Sequence, residues 1–212
     1  MVNSWCGIRG ELYARGALAL TQPDLGVLRK AQRGDERAFS LIVRAYEQPV
    51  YNYVVRLVGN RDLAEDLTQE VFLRVYQGLP GFSLRSLFTT WLFQVTKNRV
   101  LDELRAIERR PRSVLTLDEI PPLEAVDQPF ERTETIDALW RAVELLTVDL
   151  KMALLLRDIV GLSYTEIADS LEITLATVKW RIYKAREEDA ASLNLEGITA
   201  ATATTTRAVV KS

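Results

Sequence analysis

Histidine is absent from the 212 residues, and cysteine occurs once, as Cys6. The first absence removes histidine-based acid–base and triad chemistry. The second excludes an internal disulfide, and the two together exclude an ordinary zinc site. No apolar run approaches the ~18 residues of a membrane span, and the N-terminus lacks the apolar core of a secretory signal. A cytoplasmic protein with no membrane insertion is expected. Glycine and proline are sparse, at 10 and 7 residues, and none of the glycines forms a phosphate-cradling loop. No nucleophile–base pair or metal cluster is apparent either, so neither catalysis nor a cofactor is expected. Nor does one sign of charge dominate: 27 basic residues stand against 29 acidic ones, for a net charge of −2. Any affinity for nucleic acid must therefore come from local charge.

What is present is helical periodicity in a chain of ordinary globular composition, 48% hydrophobic and 26% charged. Residues 1–24 show no sustained pattern and read as a flexible leader. From Leu25 to about Arg110 nearly everything fits helix, with Pro49 marking a bend and Pro80 a loop. One helix is expected over residues 61–77 and another from about Ser86 to Arg109. Residues 111–132 contain Pro111, Pro121, Pro122 and Pro129 among acids and read as an extended acidic linker. Helical pattern resumes at Thr133 and continues to about Ala190, broken at Thr147, Gly161 and Glu172. The Thr- and Ala-rich residues 193–212 read as a disordered tail. The expected fold is all-α, with two small helical domains, residues 25–110 and 133–192, joined by the linker.

Residues 161–190 carry a helix-turn-helix signature. Gly161 is placed as a helix C-cap, and Ser163 with Glu166 forms a capping box opening the next helix. Ile167, Ala168 and Leu171 make its apolar stripe. Thr174 can cap the last helix, in which Val178, Ile182 and Ala185 share the buried face. The opposite face carries Ala176, Trp180, Tyr183 and Lys184, flanked by Thr177, Lys179, Arg181 and Arg186. Between Thr174 and Arg186 there are four bases and no acid, a pattern that suits a DNA major groove.

In residues 61–77, Leu63, Ala64, Leu67, Val71 and Val75 form one apolar stripe, with Asp62, Glu65, Asp66, Gln69 and Glu70 opposite or at its edge. Leu73 and Tyr76 extend that outward face. Apolar residues continuing an acidic face indicate a protein-binding surface. Farther on, Phe82, Phe88, Trp91 and Phe93 cluster near a loop, followed by Lys97, Asn98, Arg99, Arg105 and Arg109. Rings beside cations and an amide are what single-stranded DNA binding requires. Taken singly, Trp91 and Phe93 fit a core better, whereas the loop and the basic helix end fit a surface.

Three stretches together resemble the sigma-70 family, specifically the small extracytoplasmic-function (ECF) sigma factors. RAQRGDERAFSLIVRAYEQPVYNYVVRLVGNRDLAEDLTQEVFLRVY is similar to that family's second region, and TTWLFQVTKNRVLDELR to the part that melts and reads the minus-ten element. LLLRDIVGLSYTEIADSLEITLATVKWRIYKAR is similar to the fourth region, which reads the minus-thirty-five element. The resemblance implies that Asp62, Glu65, Asp66, Gln69, Glu70 and Leu73 dock on the clamp helices of the largest subunit of core RNA polymerase. It implies that Phe82, Ser83, Leu84, Arg85 and Ser86, with Trp91, Lys97, Asn98 and Arg99, hold the non-template single strand of the minus-ten element. Thr177, Lys179, Trp180, Arg181, Tyr183, Lys184 and Arg186 would contact duplex promoter DNA at the minus-thirty-five element. The linker would run through the RNA-exit path, and an anti-sigma factor would be a regulatory partner. Departures from the family pattern fall at Leu84-Arg85-Ser86 in the loop, at Glu172 and Ala176 around the turn, and at Trp180. A stand-alone helix-turn-helix activator of the LuxR type shares the last two helices but leaves residues 61–112 unexplained. An adaptor using only the acidic face leaves the basic last helix idle.

Overall fold

Asp24, Asp35 and Asn60 each open a helix by turning a side-chain oxygen onto otherwise unpaired backbone N–H groups. Asp24 accepts from Gly26 and Val27 at 2.7 and 3.2 Å, Asp35 from Arg37 and Ala38 at 2.9 and 3.0 Å, and Asn60 from Leu63 at 2.9 Å. The computed structural model describes residues 20–109 and 134–195, with side chains from 138 to 192 in the second segment. The expected leader over residues 1–19 with Cys6, the acidic linker and residues 196–212 of the expected tail lie outside those residues. Every regular element among the described residues is helical. They form two compact units.

The first unit comprises α1 (Leu25–Gln32), α2 (Glu36–Val58), α3 (Arg61–Gly78), a 3-10 turn (Leu79–Gly81) and α4 (Phe88–Arg109). Gly59, at φ +71°, ends α2 with its N–H on the Val55 carbonyl. Pro49, expected to mark a bend, lies inside α2, which stays helical on both sides of it over 23 residues. A proline at 49 deprives the carbonyl of Ala45 of its helical donor. Ala45 lies on the exposed face, where water can replace that donor, while Tyr46 and Val50 anchor both sides in the core.

That core is aromatic. Tyr46 meets Phe88 edge-on at 5.3 Å and Tyr53 meets Phe93 at 5.5 Å, among Ile42, Val54, Leu67, Val71 and Leu92. Each fully buried ring or branched chain contributes roughly 1.5–3 kcal/mol. Thr21 and Gln22, read as part of the leader, are bonded to this bundle. The Tyr46 hydroxyl donates to the Thr21 carbonyl at 2.7 Å, and the Gln22 Oε1 accepts from Phe88 N at 2.8 Å and from Thr89 N at 3.4 Å. Gln22 thus caps the start of α4 from 66 residues away.

The second unit comprises α5 (Glu134–Leu145), α6 (Val148–Asp158), α7 (Tyr164–Leu171) and α8 (Leu175–Leu195). α6 is the central helix, buried from Leu150 through Leu156, and it packs against α8. Between α6 and α7, Gly161 takes φ +84°, and the Leu162 N–H reaches back to the Leu156 carbonyl at 3.0 Å. The capping box forms in both directions: Ser163 N donates to Glu166 Oε2 at 2.8 Å, and Glu166 N to Ser163 Oγ at 3.2 Å. Glu172 turns the chain between α7 and α8 at φ +59°, a left-handed conformation that glycine adopts at less cost. Thr174 then caps α8, accepting from Thr177 N at 3.1 Å. Val178, Ile182 and Ala185 are buried, as their spacing requires.

Candidate functional site

Three surfaces carry the residues singled out by sequence. The first is the outward face of α3. Its apolar stripe is buried at Ala64, Leu67, Val71 and Val75, which turns Asp62, Glu65, Asp66, Gln69, Glu70 and Leu73 outward, all of them exposed. Leu73 is 56% exposed and Tyr76 41%, in line with the acids. Tyr76 is held upright by an edge-on contact with Phe39 at 4.9 Å. An acidic patch that ends in two exposed apolar side chains suits a basic, partly apolar protein groove.

The second surface is the loop between the 3-10 turn and α4. Gln32 pins it by donating to the carbonyls of Leu79 and Phe82 at 3.1 and 2.8 Å. Phe82 departs from the expected surface loop. It is 7% exposed and packed on Trp91 and Phe88, with centroids at 4.9 and 5.9 Å. Its ring completes the aromatic core and leaves no free face on which a base could stack. Ser83, Arg85, Ser86 and Leu87 remain exposed, Leu84 and Trp91 half-buried. A tight turn shapes the loop, with Ser86 N on the Ser83 carbonyl at 3.0 Å.

Lys97, Asn98 and Arg99 follow on α4, where Asn98 is exposed but Lys97, against expectation, is buried and offers no open cation to a strand. Arg99 is not an open cation. Its guanidinium donates to Glu70 of α3 and to Glu103 at 2.8 Å, and its side chain is only 11% exposed. The structure therefore joins two residues that the sequence had assigned to separate surfaces. The hydrogen bond from Arg99 holds the Glu70 carboxyl below the usual carboxylate range, and the same bond raises Arg99. Farther along α4, Arg105 and Arg109 are exposed on its last turns.

The third surface is α8. Thr177, Lys179, Trp180 and Tyr183 lie away from the core, Trp180 at 59% and Tyr183 at 68% exposure. The face is less basic than its residue count suggests. Arg181 is tied to Asp149 of α6 at 2.8 Å and Arg186 to Asp158 of α6 at 2.9 Å. Lys184 reaches Glu187 at 2.8 Å, which raises its pKa. Lys179 is the exposed cation between the two rings and the capped helix start.

Asp189, an acid expected just past the basic stretch to weaken phosphate attraction, is not on the surface. It is fully buried, its carboxylate oxygens have no hydrogen-bond partner among the described residues, and burial beside Asp158 pushes its pKa up to about 7. Its place four residues beyond Ala185, on the buried stripe of α8, was the available signal.

Two family descriptions match in order along the chain: Sigma-70 region 2 over residues 42–110 and Sigma-70, region 4 over residues 136–188. The RNA polymerase sigma-H factor of Pseudomonas aeruginosa is 34% identical over 179 residues, covering 79% of this chain and 93% of that protein. The ECF RNA polymerase sigma-E factor of Escherichia coli K12 is 35% identical over 175 residues, covering 77% and 91%. Among solved structures, CnrH in complex with the cytosolic domain of CnrY superposes with a TM-score of 0.62 at 21% identity, over 80% of this chain and 96% of that one. The sigma factor RpoE in complex with the anti-sigma factor NepR from Bartonella quintana gives 0.61 at 22%, over 74% and 96%. These two likenesses concern the fold.

Proposed function

The chain belongs to the extracytoplasmic-function RNA polymerase sigma factors of the sigma-70 family, and from that premise we propose how its own residues divide the work of promoter recognition. As a sigma factor it binds core RNA polymerase, recognises minus-ten and minus-thirty-five elements and starts transcription. In this reading the acidic face of α3, with Asp62, Glu65, Asp66, Gln69 and Glu70 ending in Leu73 and Tyr76, docks on the clamp helices of the largest polymerase subunit. Exposure of every one of those residues on a helix whose other face is buried at Ala64, Leu67, Val71 and Val75 carries the reading.

The loop Ser83–Ser86 receives a base extruded from the non-template strand, and Asn98 with the basic end of α4 follows its phosphates. Extrusion costs a few kcal/mol of unstacking, which a shaped pocket offsets. Phe82 and Trp91 shape that pocket from behind. On α8, Thr177, Lys179, Trp180, Tyr183 and Lys184 meet the duplex, while Arg181 and Arg186 brace the helix against α6. The protein acts by binding, with no catalytic step of its own, in the cytoplasm where polymerase works; among the described residues no helix is long and apolar enough to cross a membrane. An anti-sigma factor would compete for the same surfaces, a role suggested by the solved relative bound to NepR. A LuxR-type activator would use α7 and α8 alone and give residues 42–110 no role.

In vitro transcription with core polymerase on a library of genomic fragments tests the reading. Discrete start sites that require the chain are expected. Tight footprints by the chain without polymerase would instead make it a stand-alone activator.

A further inference from the structure

We propose that Trp180 and Tyr183 select thymine in the upstream promoter element by packing on its 5-methyl group in the major groove. The inference rests on α8 being the helix that reads duplex DNA and names what it reads there.

The outward stripe of α8 is Ala176, Trp180 and Tyr183, at i, i+4 and i+7, and all three are exposed. They span roughly 10 Å of helix, or about three base-pair steps. Guanine is read most often by an arginine fork and adenine by an asparagine or glutamine amide. The two arginines of α8 are held by Asp149 and Asp158, and residues 175–187 contain no asparagine or glutamine. What the stripe offers a base edge is apolar surface. The one apolar group on a major-groove edge is the thymine methyl. An indole left 59% exposed and a phenol left 68% exposed, three residues apart, are otherwise costly to keep in water. Lys179 beside them, with the capped start of α8, supplies the phosphate attraction that brings the stripe into the groove.

The test uses holoenzyme reconstituted from core polymerase and the full chain. Its probes are duplexes selected from a randomised pool, then remade with uracil for thymine in the upstream block only. Uracil keeps the pairing and removes the methyl. Selection should enrich thymine in that block. Each contacted methyl removed should weaken binding about threefold to fourfold. The double variant Trp180→Ala/Tyr183→Ala should bind thymine and uracil duplexes alike, each single alanine variant should lose part of the discrimination, and Trp180→Phe should lose less than Trp180→Ala. Circular dichroism should show these variants folded, since neither side chain is in the core. Equal binding of thymine and uracil duplexes by the wild-type holoenzyme overturns the proposal, as does full discrimination by Trp180→Ala. Equal binding by a holoenzyme that still retains promoter DNA sinks only the methyl readout. Failure of the chain to join core polymerase sinks the underlying reading, and the proposal with it.

Discussion

Arg99 of α4 and Glu70 of α3 are ion-paired, so the helix proposed to meet polymerase and the helix proposed to follow the opened strand share one charge contact. Arg99 lies nearly buried and also bonds Glu103, whereas Glu70 is about half exposed. Arg99→Ala should therefore cost the first unit about 1–3 kcal/mol, as loss of a largely desolvated charged donor does. Glu70→Gln should cost less, about 0–1 kcal/mol, because water screens its side of the pair. Because the folded Glu70 carboxyl is depressed, its contribution is present above pH ~4.5 and fades as pH falls below that. Urea unfolding of both variants at pH 7 and pH 4 checks the order and the direction.

Asp189 works the other way. Its folded pKa, about 7, stands above its ordinary value of 3.8. The folded state therefore holds a proton that the unfolded chain releases, and stability is lost as pH rises from about 4 to 7. Asp189→Asn should leave stability unchanged near pH 3.5 and raise it at pH 8 by roughly 2–4 kcal/mol. Thermal unfolding across that range checks it; a difference independent of pH would mean Asp189 stays charged in the folded protein.

Gln22 caps α4 through Phe88 N and Thr89 N. Gln22→Ala should destabilise the first unit by about 1 kcal/mol, the usual cost of a lost cap. Hydrogen exchange at the start of α4 should quicken before the rest of that helix.

Lys179→Ala should weaken holoenzyme binding across promoter sequences and flatten the logarithmic salt dependence by about one unit. Arg181→Ala should instead loosen α8 from α6, lowering thermal stability with less change in that slope. Equal slopes for Lys179→Ala and wild type would remove Lys179 from the phosphate contacts.

Local signals in the sequence were readable because their causes are local. The Ser163–Glu166 box, the Thr174 cap and the buried run Val178, Ile182, Ala185 each depend on residues within four positions. The outward acids of α3 followed from the same periodicity. Contacts between distant residues were not readable. Gln22 reaches Phe88 across 66 positions, Arg99 reaches Glu70 across 29, and Arg181 reaches Asp149 across 32. Periodicity says which way a side chain points, not which partner waits there. A basic count on α8 therefore suggested more open cation than the ion pairs leave. Phe82 misled for a related reason, since a ring in a loop reads as exposed until Phe88 and Trp91 are seen to enclose it. Pro49 marked a bend from its missing N–H alone, and the helix continues through it because the exposed Ala45 carbonyl can turn to water.

Docking on core polymerase is the claim on which the rest depends, and titration of labelled chain with core enzyme measures it directly. Wild type should bind saturably, and Asp66→Arg, reversing a charge in the middle of the exposed α3 face, should weaken binding about tenfold or more with the helical signal unchanged. No association of the wild-type chain, or equal affinity of the two, would contradict the account.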